Sequence, residues 1–132
     1  MEKNESNEWI FETSFPELVK NKINGEIRIQ NNSTSILSRV SCTVIINENE
    51  HKMQSIAKIK LGEREEFEGY EDDEMKDEFP FYFGKDGKFN KSNQNRIVFK
   101  IKFPDNLDDV AISAALANDK SLLFIIEDSS DL

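Results

Sequence analysis

The stretch Asn95-Arg96-Ile97-Val98-Phe99-Lys100-Ile101-Lys102-Phe103 decides the fold class of this chain. Ile97, Phe99, Ile101 and Phe103 recur at every second position, and Lys100 and Lys102 fall between them. A period of two marks a strand with one buried face. Sliding the register by one residue would turn both lysines into the core, so the inward face is fixed.

The same alternation extends outward along the chain. Arg39–Asn47 places Val40, Cys42, Val44 and Ile46 on one side and Ser41 and Thr43 on the other. Glu26–Gln30 aligns Ile27 with Ile29 after the Asn24-Gly25 turn, and the polar run Asn31–Ser35 reads as a further turn. Trp9–Glu12 is a strand, with Phe15–Val19 continuing it around Pro16, a residue suited to an edge or a bulge. Lys52–Leu61 makes a fourth strand with Ala57, Ile59 and Leu61 on one face. Phe67 and Tyr70 extend strand character beyond it, with Glu63, Glu65 and Glu71 on the solvent side. Phe79-Pro80-Phe81-Tyr82-Phe83 suits a sheet edge, because proline cannot donate to a ladder. Leu122–Ile126 is a buried strand. Residues 107–117 are open between two readings. Four alanines favour a helix, while the alternation of Val110, Ile112, Ala114 and Leu116 favours a hairpin across Asn118-Asp119.

Short strands about 8–12 residues apart imply a two-layer antiparallel sandwich, with at most one short helix near 107–117. Residues 26–70 resemble bacterial Ig-like modules, which step into a strand through a sequence like Leu61-Gly62-Glu63. That resemblance implies an Ig-like or related sandwich and carries nothing about function. The whole of 1–132 is expected as one domain, with a flexible stretch over 1–8 and a flexible acidic tail over 128–132. A chain of this length buries roughly two-thirds of its unfolded surface without disulfide or metal. Ten phenylalanines make up for a modest apolar content of 37%. The lone cysteine, Cys42, forms no intrachain disulfide, and the polar residues 1–8 contain no apolar signal-peptide core. A cytoplasmic protein is the expectation.

Charge is the feature that bears on function. From Gly62 to Glu78 the chain carries ten acids (Glu63, Glu65, Glu66, Glu68, Glu71, Asp72, Asp73, Glu74, Asp77 and Glu78) against Arg64 and Lys76. This segment nets −8 of the whole chain's −9. Such a field repels nucleic acid and anionic membrane and attracts cations or a basic protein surface. Three readings follow: a solvated strand and loop that blunts a sheet edge, a docking surface for a basic partner, or a calcium site where the 71–78 and 105–109 loops meet. A second candidate surface is aromatic. Phe79, Phe81, Tyr82 and Phe89 form either an apolar interface patch or part of the core.

Catalytic chemistry is not expected. His51 is the only histidine and reads as an exposed turn residue, and Cys42 sits in phase with Val40 and Val44 as a small buried apolar group. One cysteine and one histidine make a poor zinc set, and the five glycines form no phosphate loop. Lys85, Lys88, Lys91 and Arg96 read as a solvated hairpin rather than a nucleic-acid face. The expectation is a small accessory or inhibitor protein with no catalytic residue, metal or cofactor. It docks through 63–78 onto a basic partner that itself binds nucleic acid, and it is open to forming homo-oligomers. The alternatives are a passive assembly module and a calcium- or carbohydrate-binding sandwich.

Overall fold

Alternation at the strands sorts the side chains into two facing layers. The computed structural model describes residues 2–46, 48–72, 96–103 and 109–129. One sheet contains β1 (Glu2–Lys3), β2 (Glu8–Thr13), β4 (Leu37–Ile46), β5 (Asn49–Lys52), β6 (Ile56–Ile59) and β8 (Ile97–Lys102), in the order β1-β2-β8-β4-β5, with β6 also on β4. The other contains β3 (Ile27–Asn32), β7 (Arg64–Glu66), β9 (Val110–Leu116) and β10 (Leu122–Asp128), in the order β7-β3-β10-β9. The chain is an all-β sandwich.

The core lies between these layers. Ile97, Phe99, Ile101 and Phe103 all point into it, as their spacing predicts, and so do Val40, Cys42, Val44 and Ile46. Phe11 and Phe99 of the first sheet meet Phe124 of the second, with ring centroids 5.9 to 6.2 Å apart. Each fully buried phenylalanine contributes about 2–3 kcal/mol of apolar burial.

Four differences separate the structure from the sequence reading, and one open choice is decided. Phe15–Val19 does not extend a strand but forms helix α1 (Phe15–Lys20). Ser14 caps it by accepting from the Glu17 N–H at 3.3 Å, and Pro16 lies in its first turn, where the absent N–H costs nothing. The helix stops as Lys22 turns left-handed (φ +57°), which lets the Ile23 N–H return to the Leu18 carbonyl at 3.0 Å. The choice left open over 107–117 falls to the hairpin reading, since Val110–Leu116 pairs antiparallel with β10 and buries Val110 and Ile112. The sandwich is not wholly antiparallel, since β10 runs parallel to β3, pairing Leu122 with Ile27 through Glu127 with Asn32. The expected strand 52–61 is broken into β5 and β6 at Met53-Gln54-Ser55, where Met53 turns into the core and bridges to Tyr70. As a result Leu61 and Ala57 are exposed and only Ile59 faces inward. Finally, Glu2 and Lys3, inside the stretch expected to be flexible, pair with Ile10 and Trp9.

Arg39 shifts the phase of β4. At φ +50° it breaks the pleat, so Leu37 rather than Ser38 joins Val40 in the core and Ile36 is left 51% exposed. Leu37, Ser38 and Val40 pair with β6, and from Ser41 onward β4 pairs with β8 and then also with β5.

Asn31 fastens one end of the sandwich. It reads as a turn residue but is fully buried in β3. Its side-chain amide donates to the carbonyls of Ser35 (2.8 Å) and Ile59 (3.0 Å). Its side-chain oxygen accepts from the Ser33 N–H (3.0 Å) and hydroxyl (2.6 Å). Its backbone pairs with Gly62 and Glu63. Gly62, at φ +76°, makes the turn that delivers the chain from β6 into β7. The Asn31 backbone thus holds the start of the acidic segment, while its side chain ties β3 to β6 and to the 33–35 turn.

Candidate docking surface

The acidic segment starts as the edge strand β7 and is held by both sheets. β7 pairs only with β3, setting Arg64 opposite Gln30, Glu65 opposite Ile29 and Glu66 opposite Arg28. Beyond it the Phe67 N–H donates to the Ile27 carbonyl at 2.9 Å, in the second sheet. The chain then crosses to the first sheet. There Gly69 accepts from the Gln54 N–H at 2.7 Å, and the Glu71 N–H donates to Lys52 at 2.8 Å. Phe67 and Tyr70 are buried and act as two pegs. Glu68, between the pegs, and Glu71 and Asp72, after them, are exposed. The sequence marks this pattern only faintly, as two aromatics spaced through a run of acids.

Two of the predicted acids, Glu63 and Glu65, sit differently from expectation. Residues directly opposite across a strand pair share a face, so Glu65 shares the face of buried Ile29 and sits half-buried at the rim instead of on the solvent side. The Glu63 carboxyl, in hydrogen-bonding contact with it, is the main cause that holds the Glu65 carboxyl above the usual carboxylate range. Burial and the charges of Glu63 and Glu68 push the same way. Glu63 is likewise half-buried rather than fully on the solvent side. Glu66 turns to the outer face, where the Arg28 guanidinium lies 3.7 Å away. Glu65, Glu66 and Glu68 also line a shallow cleft with Gln54, Ser55 and Ile56.

The outer face beside β7 carries a charge network that sequence reasoning missed. Arg28 lies 2.8 Å from Glu26 and in ion-pair contact with Asp119. Arg64 turns away from its acidic neighbours, reaching Asp119 at 3.1 Å and Gln30 at 3.0 Å. The Ser121 hydroxyl bonded to Asp119 is the main cause holding that carboxyl below the usual range, with Arg28 and Arg64 adding to it. Asp119 is 91 residues from Arg28 in the chain, so no local spacing signals the contact. Pairs this exposed contribute little to stability, but they fix where each charge sits. The network draws Arg64 away from the segment and leaves the field around Glu63, Glu65, Glu68 and Glu71.

Asp73, Glu74, Asp77 and Glu78 lie outside the described residues. So do Phe79, Phe81, Tyr82 and Phe89, the basic group Lys85, Lys88 and Lys91, and most of the two loops considered for calcium. Among the described residues no group of three or more His, Cys, Asp or Glu could hold a metal ion. No helix among them is long and apolar enough to cross a membrane. His51 is not an exposed turn residue. It lies half-buried in β5 opposite Val44, with its ring 5.7 Å from that of Tyr70. Cys42 is fully buried, and burial pushes its thiol pKa far up, which makes it a poor nucleophile. No protein-family model matches the chain, and neither does any curated protein or solved structure.

Proposed function

We propose that this chain is a non-catalytic interaction domain that docks onto a basic protein surface through the acidic segment 63–78. In that role it serves as a small accessory or inhibitor protein for a partner that binds nucleic acid. The observation that supports this reading is the anchoring of residues 63–72, the described part of the segment. A run of acids that served only solubility would need no fixed path. Here Glu68, Glu71 and Asp72 project from backbone tied to both sheets and pegged by Phe67 and Tyr70. Charges held in place lose little freedom on binding, which favours affinity and orientation as well as fast encounter.

The test is capture from cell lysate by the wild type and by a Glu68→Lys/Glu71→Lys variant, at low salt and at about 0.5 M salt, where the Debye length is roughly 4 Å. Both positions are exposed and lie outside the Arg28 network, so the variant keeps the fold, and its melting temperature serves as the control. A basic partner held by the wild type and lost by the variant and in salt is the expected result. A partner held equally by both moves the site away from this segment.

A further inference from the structure

We propose that β9 is a self-pairing edge: two copies of the chain join β9 to β9 antiparallel about a two-fold axis, extending the four-stranded sheet to eight strands. This inference rests on β9 alone and is independent of what the acidic segment binds.

The second sheet ends at β9, and among the described residues no strand lies beyond it. Ala117 N–H donates to Ser121 at 2.9 Å, and Ser129 N–H donates to Asp109 at 2.8 Å. Antiparallel pairing alternates, so residues 111, 113 and 115 direct their backbone groups to β10. The N–H and C=O groups of Val110, Ile112, Ala114 and Leu116 then point outward from the sheet, ready for a neighbour.

The other described edges are guarded. β1 has two residues, β7 has three and all are charged, β5 is Asn-Glu-His-Lys, and β6 carries Lys58. β9 runs for seven residues, Val-Ala-Ile-Ser-Ala-Ala-Leu, with no charge and no proline. An uncharged edge offers nothing to a charged partner but suits its own copy, since a two-fold pair needs only self-complementarity.

The charge distribution favours the same occupant. β7, which opens the acidic segment, is the opposite edge of this sheet. Joining at β9 sets the two β7 strands seven spacings of about 4.8 Å apart, roughly 34 Å. That is about three Debye lengths at 0.1 M salt, so the two acidic segments do not confront each other. The register that overlaps the whole strand places Ser113 opposite Ser113 of the second copy, with Ala111 facing Ala115 and Val110 facing Leu116. Leu116, 38% exposed in one chain, gains an apolar neighbour there. One strand pair buries less than the roughly 1,000 Å² of a stable interface, so the dimer is weak and forms in the micromolar to millimolar range.

Sedimentation velocity over that concentration range tests the pairing. The wild type should pass from monomer to dimer, and raising salt from about 0.05 to 0.5 M should shift the midpoint less than about threefold, because the acidic segments lie far apart in the dimer. Ser113→Lys, exposed in the monomer, should shift the midpoint at least tenfold by opposing two lysines on the axis, while Ser113→Thr should keep the dimer. Cysteine variants test the register. Ser113 pairs with itself at a non-hydrogen-bonded position, where Cα atoms lie about 4.5 Å apart, within disulfide reach. Mild oxidation should cross-link Ser113→Cys alone, and should cross-link Ala111→Cys only when mixed with Ala115→Cys. Three results would each overturn the proposal: a wild type monomeric throughout, equal dimers from the Lys and Thr variants, or equal cross-linking of all three single cysteines.

Discussion

Replacing Asn31 should do more damage than any other polar substitution among the described residues, and the size of the loss follows from its bonds. In Asn31→Ala the Ile59 carbonyl and the Ser33 N–H lose their bonds to the Asn31 side chain in a site where Asn31 is fully buried, and the Ser35 carbonyl loses one of its two donors. The Ser33 hydroxyl also loses its bond to Asn31 but keeps a 3.1 Å contact to Ser35. Each stranded group costs about 1 kcal/mol or more, so a loss of roughly 2–3 kcal/mol is expected. For a domain whose total stability is on the order of 5–15 kcal/mol, that is a large share. It corresponds to a melting temperature lower by about 10 °C. Urea denaturation followed by tryptophan fluorescence gives the number directly, because Trp9 packs against the core. Asn31→Asp sharpens the test. It keeps two acceptors but loses both donors and buries a carboxylate against two carbonyls, so its folded pKa rises above the unfolded value. A raised carboxyl pKa means the folded state favours the protonated form. The variant's deficit should therefore be smallest below about pH 4 and grow as pH rises through the folded value. A loss under about 1 kcal/mol for Asn31→Ala, or a deficit in Asn31→Asp that ignores pH, would refute the claim that this side chain fastens the sheet end.

Gly62→Ala should cost about 1 kcal/mol from its φ of +76° alone, since nothing lies within 4 Å of the added Cβ; denaturant midpoints will show it. Phe124→Ala, which empties the ring site between Phe11 and Phe99, should cost about 3–5 kcal/mol in the same assay. The two shifted carboxyls should give opposite pH signs. The Glu65 pKa is raised in the fold, so ionising it weakens the fold. Glu65→Gln should thus be more stable than wild type at neutral pH, with the gap closing in acid. The Asp119 pKa is lowered, so it adds stability above its unfolded pKa and loses it as pH falls. Asp119→Asn should thus be less stable than wild type at neutral pH, again with the gap closing in acid. Melting curves at the two ends of the carboxylate range check both signs.

What the sequence makes legible here is period. Ile97 to Phe103 and Val40 to Ile46 alternate cleanly, and both face the core as read. Where periodicity gives way to a special backbone angle or a long-range contact, the reading fails. Arg39 shifts the phase of β4 by a left-handed φ that no propensity signals. Asn31 has a turn former's composition and a core residue's burial, because its partners lie on a separate strand and a loop. Ser14-Phe15-Pro16-Glu17 did carry a helix signal, a capping Ser with Glu three residues on and proline in the first turn, yet the strand before it suggested continuation. For the candidate surface, the sequence shows where the charge lies. It does not show that Glu65 turns to the rim or that Arg28 takes Glu66, since both depend on β3 as the neighbour of β7.

The parallel pair β3 and β10 has a consequence for biosynthesis. β10 lies between β3 and β9, so the second sheet has no middle until residues 122–128 arrive. A ribosome-bound nascent chain that has exposed β3 and β7 but not β10 holds an open parallel edge with no internal partner. Closing this layer therefore waits on a contact between positions far apart in the chain, Ile27 with Leu122, and such long-range closure favours slow folding. During that interval the unpaired edge of β3 is a natural target for a holdase chaperone.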